Sequence, residues 1–195
     1  MSKTASKIMD QLYGEERSSK VYDRLEALNP AFNRAVQDIA YDYFWALPGL
    51  SIRDKSFITL VSLIVLQKEE QTRIHYFGFL NAGGSKEILL ALLDYLSTFA
   101  EVTIARQALK EVLDEQNEVA PTKYPALDSA DKDLAYLAAV VALSRKEETK
   151  KAMKHYLGKY PDAMKRIENI LMHQMVYCGF PVAMNGFAIL KDQMG

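Results

Sequence analysis

The chain has 195 residues, of which 49% are hydrophobic and 25% are charged, the composition of an ordinary folded domain with a sizeable core. Its formal net charge is only −1, so electrostatics give no case for nucleic acid or an acidic membrane surface as a partner. No apolar run approaches the roughly 20 residues that cross a bilayer, and we expect no secretory signal. A single cysteine, Cys178, excludes an intrachain disulfide, a Cys-x-x-Cys redox pair and a thiolate zinc site within one chain. A cytoplasmic protein is expected.

Apolar residues recur at three- and four-residue spacings along nearly the whole chain, which predicts an all-α protein. In chain order, helices are predicted over residues 2–13, 18–28, 30–47, 52–66, 69–82, 86–97, 100–116, 128–143, 146–157, 161–178 and 182–192. The helix at 52–66 is apolar on almost every side, so it is expected at the centre of the fold.

The same pattern starts twice, 77 residues apart. Leu66 aligns with Leu143 and Thr72 with Thr149, and a two-residue slip after Gly84 extends the alignment. An internal duplication is therefore predicted, in which two similar multi-helix repeats pack their apolar faces together. The predicted units are an N-terminal helical extension at 1–29, a first repeat at 30–116, a linker at 117–126 and a second repeat at 127–195.

The most informative stretch runs from Leu66 through the acidic pair Glu69-Glu70 to His75 and stops at Gly83-Gly84. The order of motifs around it resembles the carboxymuconolactone decarboxylase family, over about residues 30–115 and again over 127–193. The resemblance implies an all-α, alkylhydroperoxidase-like fold that oligomerises, most simply as a trimer or a hexamer. The other motifs that carry it are Trp45, Pro48-Gly49-Leu50, Arg53-Asp54-Lys55, Leu80-Asn81-Ala82-Gly83 and Tyr177-Cys178-Gly179-Phe180-Pro181.

The resemblance also implies two chemistries. The branch that gives the family its name removes CO2 from a lactone, and the alkylhydroperoxidase branch uses a Cys-x-x-Cys pair upstream of the family histidine. Those cysteines fall on Lys68 and Gln71, so disulfide-cycling peroxidase activity is not expected. The family histidine matches His75, but the decarboxylase glutamate falls on Gln71, which cannot exchange a proton near neutral pH. The second repeat has the glutamate, Glu148, and lacks the histidine, which is Ala152.

His75 is therefore the predicted acid–base group, because an imidazole titrates near the working pH. Glu148 is its predicted catalytic partner, across the two halves or a subunit contact. Gln71, Arg53 and Trp45 are the predicted substrate contacts, with Arg53 suited to bidentate binding of a carboxylate. The structural alternatives are a buried histidine bonded to a neighbour, a solvated arginine and a core tryptophan.

Three functions remain open at this point. The first is a decarboxylase or related proton-transfer enzyme acting on a small carboxylated, lactone-type substrate. The second is a degenerate, non-catalytic family member that binds or assembles, and the third is a peroxidase that depends on Cys178 alone. With three histidines and no histidine–carboxylate pair at metal-ligand spacing, no metal and no cofactor are expected. The expected partners are further copies of the chain and a small molecule, not nucleic acid or a membrane.

Overall fold

A computed structural model describes residues 3–113 and 127–193, and these ranges are built from helices and turns. The predicted all-α class is confirmed, while the predicted linker at 117–126 lies outside the described residues. None of the helices in the described ranges combines the length and the apolarity needed to cross a bilayer. The helices are α1 Lys3–Tyr13, α2 Glu15–Leu28, α3 Pro30–Ala35, a π-helix Val36–Trp45, α4 Ile52–Val65, α5 Glu69–Asn81, α6 Lys86–Ser97, α7 Thr103–Leu113, α8 Ser129–Ala142, α9 Lys146–Lys159, α10 Ala163–Cys178 and α11 Phe180–Asp192.

Helix α4 lies at the centre of the fold. It begins at an N-cap, Ser51, whose side chain accepts a hydrogen bond from the Asp54 backbone N–H, and every residue from Lys55 to Val65 is buried. Helices α5, α8 and α10 pack around it. This position is the one that its nearly continuous apolar surface predicts.

The helix predicted over 30–47 has two different parts. Asn29 caps α3 by accepting bonds from two backbone N–H groups, and Pro30 occupies the first helical position. From Val36 onward the backbone bonds are those of a π-helix, a rare form that is frequent at functional sites. Tyr41 and Trp45, four residues apart, share one buried face of this helix, with their rings stacked at 6.1 Å.

The helices of the two halves start at a constant spacing. Helices α4 to α7 begin at residues 52, 69, 86 and 103, and α8 to α11 begin 77 residues later, at 129, 146, 163 and 180. The turns before α5 and α9 also match, since Gln67 and Ser144 both adopt a left-handed backbone, with φ of 56° and 55°. The expected two-residue slip after Gly84 is not seen at these helix starts. The duplication itself stays a prediction.

Two ion pairs join the halves beside the central helices. The Arg53 guanidinium binds Asp131 with both nitrogens, one of them at 2.6 Å, and Arg166 donates to Asp54 at 2.9 Å. Asp54 and Asp131 occupy the same position in α4 and α8, 77 residues apart. Each half therefore supplies a carboxylate to an arginine of the other half.

Two glycines give a matched test of this packing. A methyl group at Gly84 would overlap three ring carbons of the buried Phe79, whereas one at Gly158, inside α9, would meet no atom within 4 Å. We expect Gly84→Ala to destabilise the fold by about 1–3 kcal/mol and Gly158→Ala to stabilise it by up to about 1 kcal/mol. Urea unfolding followed by circular dichroism measures both changes. Equal effects of the two substitutions would contradict the packing of Gly84 on Phe79.

Candidate functional site

His75 lies on α5, between the central helix and the N-terminal helix α1. Helix α5 begins after the left-handed turn at Gln67, and Glu69 and Glu70 in its first turn are favoured by the helix dipole. His75 is one and a half turns further along and is only 8% exposed. The position predicted for the acid–base group is therefore almost enclosed.

Tyr13, the last residue of α1, lies directly against His75. Its hydroxyl is 3.1 Å from His75 Nδ1, and the two rings meet edge to face. Gly78 makes room for it, because a methyl group there would come within 3.3 Å of the Tyr13 ring. The Asn81 side chain donates a 2.7 Å hydrogen bond to the Leu12 carbonyl. Helix α1 is thus fastened along α5 at two points.

Tyr177, near the end of α10, packs against His75 from another direction. The ring centroids of Tyr177 and His75 are 5.2 Å apart and nearly perpendicular. The Tyr177 hydroxyl accepts a 2.9 Å hydrogen bond from the Trp45 indole N–H. Tyr13, Trp45, His75 and Tyr177, together with His173, are called the His75 cluster below.

His173 lies deeper in the same cluster, against the Trp45 ring at 4.9 Å, and is 1% exposed. Its Nε2 is 3.1 Å from the Lys55 carbonyl and 2.9 Å from the Thr59 hydroxyl. A carbonyl can only accept, so the proton must sit on Nε2. Nδ1 then carries a lone pair, and this nitrogen is buried without a partner among the described residues. His173 is held inside the structure and offers no accessible nitrogen.

Burial keeps both histidines neutral. Loss of solvent lowers the pKa of His75 to about 4 and that of His173 to about 3, from a usual value of 6.5. Burial also raises the pKa values of the Tyr13 and Tyr177 hydroxyls well above 10, so both remain protonated near neutral pH. The cluster is therefore a set of uncharged groups joined by hydrogen bonds and ring contacts.

The two nitrogens of His75 differ in their surroundings. Nδ1 is fixed by Tyr13, whereas Nε2 has no hydrogen-bond partner among the described residues. Nε2 is also absent from the fully buried polar atoms that lack a partner, so it keeps some contact with solvent. One nitrogen is oriented from inside and the other remains open, the arrangement that a positioned acid–base group needs.

The predicted substrate contacts are placed differently from one another. Gln71 is exposed on α5, one turn before His75, and no hydrogen bond joins the two in the described part of the chain. Arg53 is taken up by Asp131 and lies over the Phe57 ring. Trp45 belongs to the His75 cluster, but as an interior residue with 2% exposure. Of the three, Gln71 alone is free to meet a ligand from solvent.

Glu148 does not meet His75 within one chain. It is half-buried on α9, which packs against α8, α10 and α11, whereas the helix of His75 packs against α1, α4 and α7. No hydrogen bond or ion pair joins the two side chains across residues 3–113 and 127–193, and the pKa of His75 is shifted by burial alone. The groups that do contact His75 are Tyr13 and Tyr177.

These tyrosines were not predicted as site residues. Tyr177 stands inside a family motif, next to Cys178, and that motif was the available signal. Tyr13 stands outside every motif, and only its position before Gly14, the break between two helices, marks it. A contact across 62 residues of sequence is not visible in any local pattern.

Cys178 has the surroundings of a structural thiol. Burial raises its pKa to about 11, so the thiol is protonated near neutral pH, and the thiolate is the nucleophilic form. A protonated thiol is unfavourable for the hypothesis of a peroxidase that depends on Cys178. Within the described ranges, no group of three or more His, Cys, Asp or Glu side chains is arranged to hold a metal ion.

The comparisons with known proteins agree with the all-helical fold. Residues 30–114 match the family model described as the carboxymuconolactone decarboxylase family, in agreement with the predicted resemblance. A curated relative, the 4-carboxymuconolactone decarboxylase of Acinetobacter baylyi, is 25% identical to the chain over 107 residues. That alignment covers 55% of this chain and 80% of the relative. Tyr13 and Tyr177 both lie outside the segment matched by the family model.

The neutral histidines make the fold sensitive to mild acid. Between pH 6.5 and about 4 an unfolded chain binds protons at His75 and His173 that the folded chain does not, so stability present above pH 6.5 is lost as the pH falls. At pH 5 the expected loss is roughly 2 kcal/mol for each histidine. Urea unfolding at pH 7 and pH 5 measures it, and His75→Gln should remove about half of the fall. A free energy of unfolding that is constant over this range would contradict the assigned burial.

The three histidines should also differ in their chemical reactivity. Diethyl pyrocarbonate modifies an accessible, neutral imidazole nitrogen. The His155 side chain is 59% exposed, whereas His75 and His173 are 8% and 1% exposed. Mass spectrometry of the folded protein should show modification in the order His155, then His75, then His173. Modification of His173 before His75 would contradict an open Nε2 on His75.

Proposed function

We propose that the chain is a proton-transfer enzyme of the carboxy-lyase type, with His75 as its acid–base group and a small carboxylated lactone as its substrate. The observation that carries the proposal is the contrast between the two nitrogens of His75. Tyr13 fixes Nδ1, while Nε2 is unpaired and keeps contact with solvent. His173, the other buried histidine, has the opposite arrangement, because its unpaired nitrogen, Nδ1, is fully buried.

Either tautomer of His75 leaves Nε2 available for the reaction. If Nδ1 carries the proton, it donates to the Tyr13 oxygen and Nε2 presents a lone pair. If the Tyr13 hydroxyl donates to Nδ1, Nε2 carries the proton. Because burial holds the imidazole neutral, the first tautomer acts as a base at neutral pH without first losing a proton. In both, Tyr13 fixes the plane of the ring.

The substrate class is taken from the family that residues 30–114 match and from the relative's name. Loss of CO2 from a carboxylated lactone breaks a carbon–carbon bond and leaves an electron pair delocalised toward the lactone carbonyl. A proton must then be added to carbon. The tautomer of His75 that carries its proton on Nε2 supplies it, and solvent water returns a proton to the ring, so that one proton is taken up for each CO2 released. Gln71, exposed one turn earlier on α5, is the substrate contact retained in this proposal, since its amide both donates and accepts. Glu148 can take part only if another subunit supplies it.

The non-catalytic alternative is favoured by one observation, the 8% exposure of His75 beneath Tyr13. A histidine so enclosed also serves as a packing group between α1 and α5. In that case the exposed apolar side chains would support self-association of the chain, as a trimer or a hexamer. These side chains are Leu28, Phe32, Ile39, Tyr43, Phe180 and Met184.

The deciding experiment measures CO2 release from 4-carboxymuconolactone. Wild type and a His155→Gln control should both turn over, and His75→Gln should be slower by a factor of about 10²–10⁴, the usual contribution of a positioned acid–base group. Light scattering checks that the three proteins have the same assembled mass. Wild-type protein that releases no CO2, or an undiminished rate in His75→Gln, would favour the non-catalytic alternative.

A further inference from the structure

A separate cleft of about 370 Å³ lies in the second half of the chain, between the start of α9 and one face of α11. None of its lining residues belongs to the His75 cluster. Its volume falls near the lower end of the range for small-molecule sites. Val141 and Ile189, which are 3% and 8% exposed, contribute an apolar surface on which carbon can be buried.

Two charges border this cleft, and each stands at the unfavourable end of its helix. Lys146 is the first residue of α9, where the helix dipole disfavours a cation, and Asp192 is the last residue of α11, where it disfavours an anion. Neither side chain forms an ion pair across the described residues. Both charges therefore lack a compensating partner at a shared site.

Thr149 adds a polar group to the wall of the cleft. It is 2% exposed, and its hydroxyl has no hydrogen-bond partner among the described residues. At the matching position of α5, the Thr72 hydroxyl donates a 2.9 Å hydrogen bond to the Lys68 carbonyl. The Thr149 hydroxyl is not one of the fully enclosed polar atoms without a partner, and the residue lines the cleft. A buried threonine of this kind is ready to bond a ligand.

We propose that the cleft binds a small zwitterion with an apolar body, of the class of the apolar α-amino acids. The ligand carboxylate pairs with Lys146 and accepts a hydrogen bond from Thr149, and the ligand ammonium pairs with Asp192. The apolar body lies against Val141 and Ile189. Such a ligand compensates both helix-end charges at once, which neither a simple anion nor a simple cation can do. The site is independent of the chemistry proposed for His75.

Three probes of similar size separate the contributions: L-phenylalanine, 3-phenylpropanoate, which lacks the ammonium, and 2-phenylethylamine, which lacks the carboxylate. Isothermal titration calorimetry should show phenylalanine binding at millimolar concentration or better, and each analogue at least about fivefold more weakly. Lys146→Gln, Asp192→Asn and Thr149→Val should each weaken phenylalanine binding by about three- to tenfold.

The matched controls are Lys150→Gln, on the exposed side of the same helix, and Asp162→Asn, before α10. Both should bind phenylalanine as the wild type does, and so should His75→Gln, which separates this site from the proposed activity. The proposal is wrong if phenylalanine does not bind up to 50 mM. It is also wrong if 3-phenylpropanoate binds equally well, or if the cleft variants and the controls behave alike.

Discussion

The burial of α4 from Lys55 to Val65 is the constraint on which the rest of the structure depends. A helix that is apolar on nearly all sides must be covered on all sides, and α5, α8 and α10 do so. The same burial removes from water the few polar groups that α4 carries. Their partners come from elsewhere in the chain, because an unpaired buried polar group costs about 1–3 kcal/mol. The Lys55 ammonium donates to the Trp45 and Leu47 carbonyls, and the Thr59 hydroxyl meets His173.

These polar contacts determine what surrounds the family histidine. His173 is hydrogen-bonded to the Lys55 carbonyl of α4, and its ring packs against that of Trp45. Tyr177 lies one turn later on α10, where its ring packs against that of His75. Another side of α5 is covered by α1, which ends at Tyr13. The environment of one imidazole thus follows from the packing of α1, α4, α5 and α10, and two of these helices, α1 and α10, lie outside residues 30–114.

Much of the fold was predictable because helix boundaries are local. Caps such as Ser51, breaks such as Gly14 and an unbroken apolar surface on α4 act through neighbouring residues, and these elements lie close to their predicted bounds. The π-helix was not predictable, since its side-chain pattern fits an α-helix equally well. Its form accompanies the burial of Tyr41 and Trp45 in the tertiary structure, which no local pattern shows.

The site was predictable only in part, for the same physical reason. His75 was identified from its motif, but its partners come from 62 and 102 positions away, Tyr13 toward the N-terminus and Tyr177 toward the C-terminus. Arg53 has the chemistry to bind a substrate carboxylate, yet Asp131 of the other half already satisfies it. No pattern within α4 shows that the Asp131 carboxylate of α8 lies beside Arg53. Residue type alone therefore predicts what a group can do, and packing decides whether it is free to do it.

The packing of α1 on α5 shows that the segment matched by the family model and the set of residues that packs around His75 do not coincide. The stretch recognised as a family domain, residues 30–114, contains His75 but neither of the tyrosines that surround it. Thr59 and Ser62 of its central helix are hydrogen-bonded to His173 and Gln174 of α10. The segment that matches the family model is accordingly shorter than the part of the chain that packs around its central helix. A homologue that shares the segment but differs in its flanks would keep the histidine and give it different neighbours, and with them a different protonation equilibrium.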